Sequence, residues 1–227
     1  MMRNRDLPES YETEGCDRED IRMPENQNRL ISEIGKVQKN TVVVLHGGAC
    51  MALPWFDQVK AVLCMHLGGD QVGRAVVELL YGAVNPSGKL AETWPLKVED
   101  NTSWLNFPGE NGIVEYREGI YIGYRYYDKK AMEVRFPFGY GLSYTTFSYQ
   151  DLKLDKESMT DKEQLMVSFK VKNTGNCFGK EVVQLYIRVK DSTVRRPVRE
   201  LKGFEKIALE PGEEKEVRFV LDAKAFA

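Results

Sequence analysis

Glu115-Tyr116-Arg117-Glu118-Gly119-Ile120-Tyr121-Ile122-Gly123-Tyr124-Arg125-Tyr126-Tyr127, followed shortly by Phe136-Pro137-Phe138-Gly139-Tyr140-Gly141-Leu142-Ser143-Tyr144, divides the 227-residue sequence into two halves of different periodicity. Seven tyrosines fall between residues 115 and 144, interleaved with glycines and alternating charges. Glycine lets another backbone come close, and tyrosine offers a flat apolar face with a hydroxyl at its tip. The mixture suits either a crowded junction between domains or a surface that faces sugar.

Before this stretch the sequence reads as α/β. Leu30, Ile31, Ile34 and Val37 recur at helical spacing within Glu25 to Lys39, with Pro24 at the first turn. Thr41-Val42-Val43-Val44-Leu45 is a continuous β-branched run, the pattern of a strand covered on both faces, and Gly47-Gly48 ends it. Val59 to Met65 reads as a second buried strand closed by Gly68-Gly69. Asp70 to Tyr81 places Val72, Val76, Val77 and Leu80 on one side of a helix, with Gly82 as its C-cap. Helices alternating with strands imply a parallel sheet. From about Asn85 to Tyr144 regular periodicity fades.

After the stretch the period becomes two from Phe147. Leu165, Val167, Phe169 and Val171 alternate with polar residues and end at Asn173-Thr174-Gly175. Val183, Leu185 and Ile187 follow, then Ile207 and Leu209, the turn Glu210-Pro211-Gly212-Glu213, and Val217, Phe219 and Leu221. Short alternating strands between turns predict an antiparallel β-sandwich. The expected organisation is an α/β domain over 1–110, an aromatic and glycine-rich segment over 111–146, and a β-sandwich over 147–227.

Composition removes several function classes. The net charge of −2 gives no electrostatic footprint for nucleic acid or an anionic membrane. No apolar run reaches the roughly 18 residues needed to span a bilayer. Met1 to Gly15 has no apolar core, so it does not read as a signal peptide. Cys16, Cys50, Cys64 and Cys177 are scattered, with neither zinc spacing nor a disulfide framework, which fits a reducing, cytoplasmic setting. His46 and His66 each follow an apolar strand without a second ligand at metal spacing, so a hydrogen-bonded structural role is expected and no metal or cofactor.

Seven short stretches, in order along the chain, resemble glycoside hydrolase family 3, the β-glucosidase group. They are Glu12-Thr13-Glu14-Gly15-Cys16-Asp17-Arg18; Leu67-Gly68-Gly69 with Gly73; Gly82 to Leu90; Gly119 to Tyr127; Phe136 to Tyr144; Val171 to Gly175; and Leu201 to Phe204. The resemblance implies an α/β sandwich domain, a largely parallel sheet with flanking helices, followed by a fibronectin type III-like domain. It also implies a preceding TIM-like barrel that carries the nucleophilic aspartate and is absent here. Both ends look cut against the family, with a first strand of the α/β domain and the last strands of the β-sandwich expected to be missing.

The resemblance further implies that the acid/base glutamate comes from Glu9 to Gly15, with Glu14 the first choice and Glu12 the second. Asp17-Arg18 is expected to fix that loop. Trp55, Trp94, Trp104 and Phe107 could stack on an acceptor sugar or be buried at a junction, with burial favoured for Trp94. Arg195-Arg196-Pro197-Val198 is either a loop approaching the active site or a solvated one, so Arg195 joins Trp55 and Trp104 as a substrate-binding candidate. The expected partners are a β-glucoside or oligosaccharide and the barrel. The competing function is a non-catalytic carbohydrate-binding or accessory module, with the tyrosine-rich stretch as its face. As family packing, that same stretch would instead join the two domains.

Overall fold

The computed structural model describes residue 18 and residues 20–226, which divide into two compact units. The first comprises residues up to Val77 together with Glu92–Pro137, and the second comprises Glu78–Ala91 with the chain from Phe138 onward. The segment 111–146 is therefore shared, its part up to Pro137 counting with the first unit.

The first unit has the expected α/β character. Helix α1 spans Glu25–Val37, preceded by Pro24, and gives way to extended backbone at Gln38. Strands β1 (Val42–Leu45) and β2 (Ala61–Cys64) pair in parallel with Val42 opposite Ala61 and Leu45 opposite Cys64. The burial differs from the expectation of strands covered on both faces. Leu45 is buried, but Val43 and Val44 are half-buried and Val42 is exposed. The apolar stripe of α1 is likewise open at Leu30, Ile34 and Val37, because no other described element packs over it.

Helix α2 spans Val72–Leu80, and Gly82 takes the left-handed conformation at φ +74°. That backbone, costly for any residue with a Cβ, lets the Gly82 and Val84 amides donate to the carbonyls of Leu79 and Glu78. The boundary between the units falls inside this helix.

Within the nominally irregular region, helix α3 forms at Tyr124–Lys130, a helix the periodicity did not predict. Tyr127 is its buried residue. Trp94 and Phe136 form an antiparallel bridge, and the Phe136 ring lies edge-on to Phe56 at 5.3 Å between centroids.

The second unit contains the antiparallel sheets expected of a β-sandwich. Strands β3 (Phe147–Leu154), β4 (Leu165–Asn173) and β7 (Glu214–Leu221) form one sheet in the order β3-β4-β7. Strands β5 (Gly179–Ile187) and β6 (Glu200–Leu209) form the other. Period two does the work here: Val167, Phe169 and Val171 of β4 turn inward, Ser168 and Lys170 between them are half-buried, and Met166 and Lys172 on either side stay exposed. The core joins Phe169, Val171, Val183, Ile207, Leu209 and Val217, with Phe147 and Phe219 against it. Gly203 makes this packing possible, since a Cβ there would stand 2.7 Å from the Phe219 ring.

Two stretches far apart in sequence close on each other in the second unit. Asn85 accepts hydrogen bonds at Oδ1 from the Ser143 hydroxyl (2.9 Å) and the Tyr144 amide (2.8 Å), and its Nδ2 donates to the Phe178 carbonyl (2.9 Å). Leu90 donates to the Tyr140 carbonyl and accepts from the Gly139 amide, each at 2.8 Å. The Tyr144 hydroxyl donates to the Leu79 carbonyl. Thus the Gly82 to Leu90 stretch and the Phe138 to Tyr144 stretch are hydrogen-bonded to each other.

Candidate functional site

Residues 20–22 line one side of a wide cleft in the first unit. Ile21 accepts a hydrogen bond from the Ala52 amide at 2.8 Å, and Arg22 bridges Ala52 in parallel fashion. Asp20 folds back on Arg22, accepting from its amide at 2.9 Å and from its guanidinium at 2.6 Å. The carboxyl of Asp20 is held below the usual carboxylate range by these bonds and the adjacent positive charge, which outweigh its partial desolvation. Arg18 donates to the Arg22 carbonyl at 3.0 Å, a contact that fixes the shape of this segment.

The cleft encloses about 800 Å³. Asp20 and Arg22 line one part of it, Lys97, Glu99 and Arg135 another, and Trp104 contributes an aromatic wall. Trp104 is 44% exposed, so part of its ring is accessible to a ligand. An aromatic face beside planar charged groups can stack on a sugar's C–H surface and hydrogen-bond its hydroxyls. Phe107, 38% exposed, stands three residues further along the same irregular segment.

The other aromatic candidates lie elsewhere. Trp55 is 0% exposed, and its indole N–H donates to Asn28 Oδ1 at 2.9 Å. No face of this ring is open for stacking; it is a core residue tied to α1. Trp94 is 1% exposed and packs on Phe136 at 5.9 Å. Arg195 is exposed on the loop between β5 and β6 of the second unit. Glu12, Glu14 and Asp17 lie outside the described residues.

The carboxyl ends of β1 and β2 gather a second set of titratable groups. His66 follows β2 in the left-handed region at φ +47°, with its carbonyl accepting from the Gly47 amide at 3.3 Å. Burial pushes the Cys50 thiol up to about 11 and raises that of Cys64. Glu92 accepts a hydrogen bond from the Cys50 amide, and desolvation raises its carboxyl above the usual range, outweighing this bond and the charge of His66. Sequence reading passed over Glu92, although it sits two residues after the Gly82 to Leu90 stretch and just before the buried Thr93-Trp94-Pro95 run. Among the described residues, no three His, Cys, Asp or Glu side chains converge as a metal site.

Comparison with known proteins adds a wider frame. A family model for the glycosyl hydrolase family 3 C-terminal domain matches residues 3–144, and one for a fibronectin type III-like domain matches residues 181–227. The chain is 57% identical over 221 residues to thermostable beta-glucosidase B of Acetivibrio thermocellus, covering 97% of this chain and 29% of that protein. The crystal structure of the beta-glucosidase from Kluyveromyces marxianus in complex with glucose superposes with a TM-score of 0.88 at 46% identity, over 95% of this chain and 26% of that one. The family 3 beta-glucosidase of Bifidobacterium adolescentis gives a TM-score of 0.89 at 40% identity, over 94% and 32% respectively. The chain thus spans less than a third of the length of each of these relatives.

Proposed function

The chain belongs to glycoside hydrolase family 3, and from that premise we propose that it forms the C-terminal part of a retaining β-glucosidase-type hydrolase. The observation that carries the reading is the match itself: 97% of this chain aligns with 29% of a curated beta-glucosidase. What the remaining length supplies is, on the family resemblance, a barrel with the nucleophilic aspartate. This chain supplies the acid/base loop from Glu9 to Gly15, with Glu14 as the acid/base and Glu12 as the alternative.

Retention requires two carboxyl groups about 5 Å apart. The protonated Glu14 gives its proton to the glycosidic oxygen as the aspartate attacks the anomeric carbon from the other face. The aglycone leaves as an alcohol and a glycosyl-enzyme remains. The Glu14 carboxylate then takes a proton from water, which attacks the same carbon and frees the sugar with its configuration retained. The Trp104 cleft receives the leaving-group sugar. Trp55 serves this site only as a buried support.

With one of the two carboxyls, the 227-residue chain turns over no aryl β-glucoside by itself. Joined to a barrel from a relative, it regains hydrolysis. Glu14→Gln then lowers kcat by about 10²–10⁴-fold, and azide restores turnover by attacking the glycosyl-enzyme without needing a base. Turnover by the chain alone, abolished by Glu14→Gln, would overturn the proposal.

The exposure of Trp104 supports a second reading, a carbohydrate-binding module. Calorimetry of the chain with gluco-oligosaccharides separates the two: a module binds unaided, and Trp104→Ala removes the heat.

A further inference from the structure

A separate cavity of about 320 Å³ lies in the first unit, between the turn before Phe107 and helix α3. Its volume is at the lower end of the roughly 300–1,000 Å³ typical of small-ligand sites. Three cations line it, Arg117, Lys129 and Lys130, against one carboxylate, Glu118. Arg117 also pairs with Glu115. The ammonium of Lys129 stands 6.0 Å from the centroid of the Tyr121 ring, and that of Lys130 stands 6.0 Å from the centroid of Tyr126. Both rings belong to the cavity wall, so each cation is held beside an aromatic face at its rim.

The cavity goes beyond ordinary helix chemistry. Lysines in a last helical turn complement the helix dipole, but that accounts for neither the cavity nor the other groups that line it. Thr102 and Asn106 add neutral hydrogen-bonding side chains to the lining.

We propose that this cavity binds a small tetrahedral oxyanion, a phosphate or sulfate group, either free or carried on a sugar. The lysines and Arg117 supply positive charge and N–H donors. Charge-assisted hydrogen bonds of this kind are about twice as strong as neutral ones. The site uses none of the groups assigned to hydrolysis, so it stands or falls separately from that reading.

Titration calorimetry of the 227-residue chain at low ionic strength tests the proposal, with inorganic phosphate, sulfate and glucose 6-phosphate as probes and glucose as the neutral control. Saturable binding of the anions but not of glucose is expected, weakening as sodium chloride is added. Glucose 6-phosphate binding more tightly than phosphate identifies a sugar-borne group; equal affinity identifies the free anion. The double variant Lys129→Gln/Lys130→Gln loses at least about tenfold in affinity, which corresponds to about 1.4 kcal/mol. A thermal melt shows that the double variant remains folded. No saturable heat with any of the three anions, or unchanged affinity in the folded double variant, overturns the proposal.

Discussion

The ammonium of Lys89 lies 3.1 Å from a carboxylate oxygen of Glu181, and both side chains are almost removed from water, at 16% and 11% exposure. Lys89 also donates to the Gly141 carbonyl at 2.7 Å, and Glu181 accepts from the Tyr149 hydroxyl at 3.0 Å. One charge pair therefore gathers the segment after α2, the turn at Gly141, and strands β3 and β5.

Removing one partner of such a pair strands the other charge. Glu181→Gln or Lys89→Met is expected to destabilise the second unit by about 3–5 kcal/mol. The double variant Lys89→Met/Glu181→Leu should cost less than either single change, because no lone charge is left behind. Urea unfolding of the three variants, followed by far-ultraviolet circular dichroism, measures this.

Asn173 closes the end of β4 from a fully buried position. Its Oδ1 accepts from the Thr145 hydroxyl at 2.6 Å and the Gly175 amide at 3.1 Å, while Nδ2 donates to the carbonyls of Cys177 (2.9 Å) and Leu209 (3.0 Å). Asn173→Ala leaves several buried groups unmatched, at about 1–3 kcal/mol each. Asn173→Asp keeps the shape but turns an acceptor toward two carbonyls, so it should destabilise comparably. An Asp variant as stable as the original in a chemical melt would show that the donors contribute little.

The first unit should weaken in alkali. Burial favours the neutral Cys50 thiol, moving it from 9.0 to about 11, and burial likewise raises Tyr127. A group whose neutral form folding favours contributes fully below its ordinary value and loses that contribution as pH rises through the folded value. For Cys50 the window is pH 9 to 11, and two units correspond to about 2.7 kcal/mol. Stability measured across that window should fall less steeply for Cys50→Ala, and Cys50 should resist iodoacetamide at pH 8.

Trp55 and Trp104 should respond oppositely to substitution. Trp55→Phe removes the N–H that satisfies buried Asn28 and should cost about 1–3 kcal/mol in stability. Trp104→Ala should leave the melting curve nearly unchanged. In a barrel-complemented enzyme it should instead raise KM for cellobiose more than for an aryl glucoside. Equal KM effects on both substrates would remove Trp104 from the leaving-group site.

Much of the fold was legible because its signals are local. The Val167, Phe169, Val171 alternation and the Thr41 to Leu45 run each declare a period within one element, and Gly82 marks the end of α2 by itself. Helix α3 was not legible. It has only seven residues, starts at Gly123 with φ +58°, and carries no apolar stripe, so burial of Tyr127 rather than local pattern sustains it. Nor could Asn85 be seen joining Ser143 and Tyr144, partners some sixty residues away. The site divides the same way. A tryptophan in sequence serves equally as a stacking wall or a core filler, and only the Asn28 contact and the exposure of Trp104 distinguish the two. The Glu12 and Glu14 assignments rest on resemblance alone.

Because the unit boundary cuts α2 and is crossed again at residues 91/92 and 137/138, the polypeptide passes between the units three times. A module hung on one linker can be moved between genes by a single recombination and released by a single protease cut. Neither holds here. Any one nick leaves the halves joined through the remaining backbone, and a transplant that begins at Phe147 leaves Asn85 and Lys89 behind with their old host.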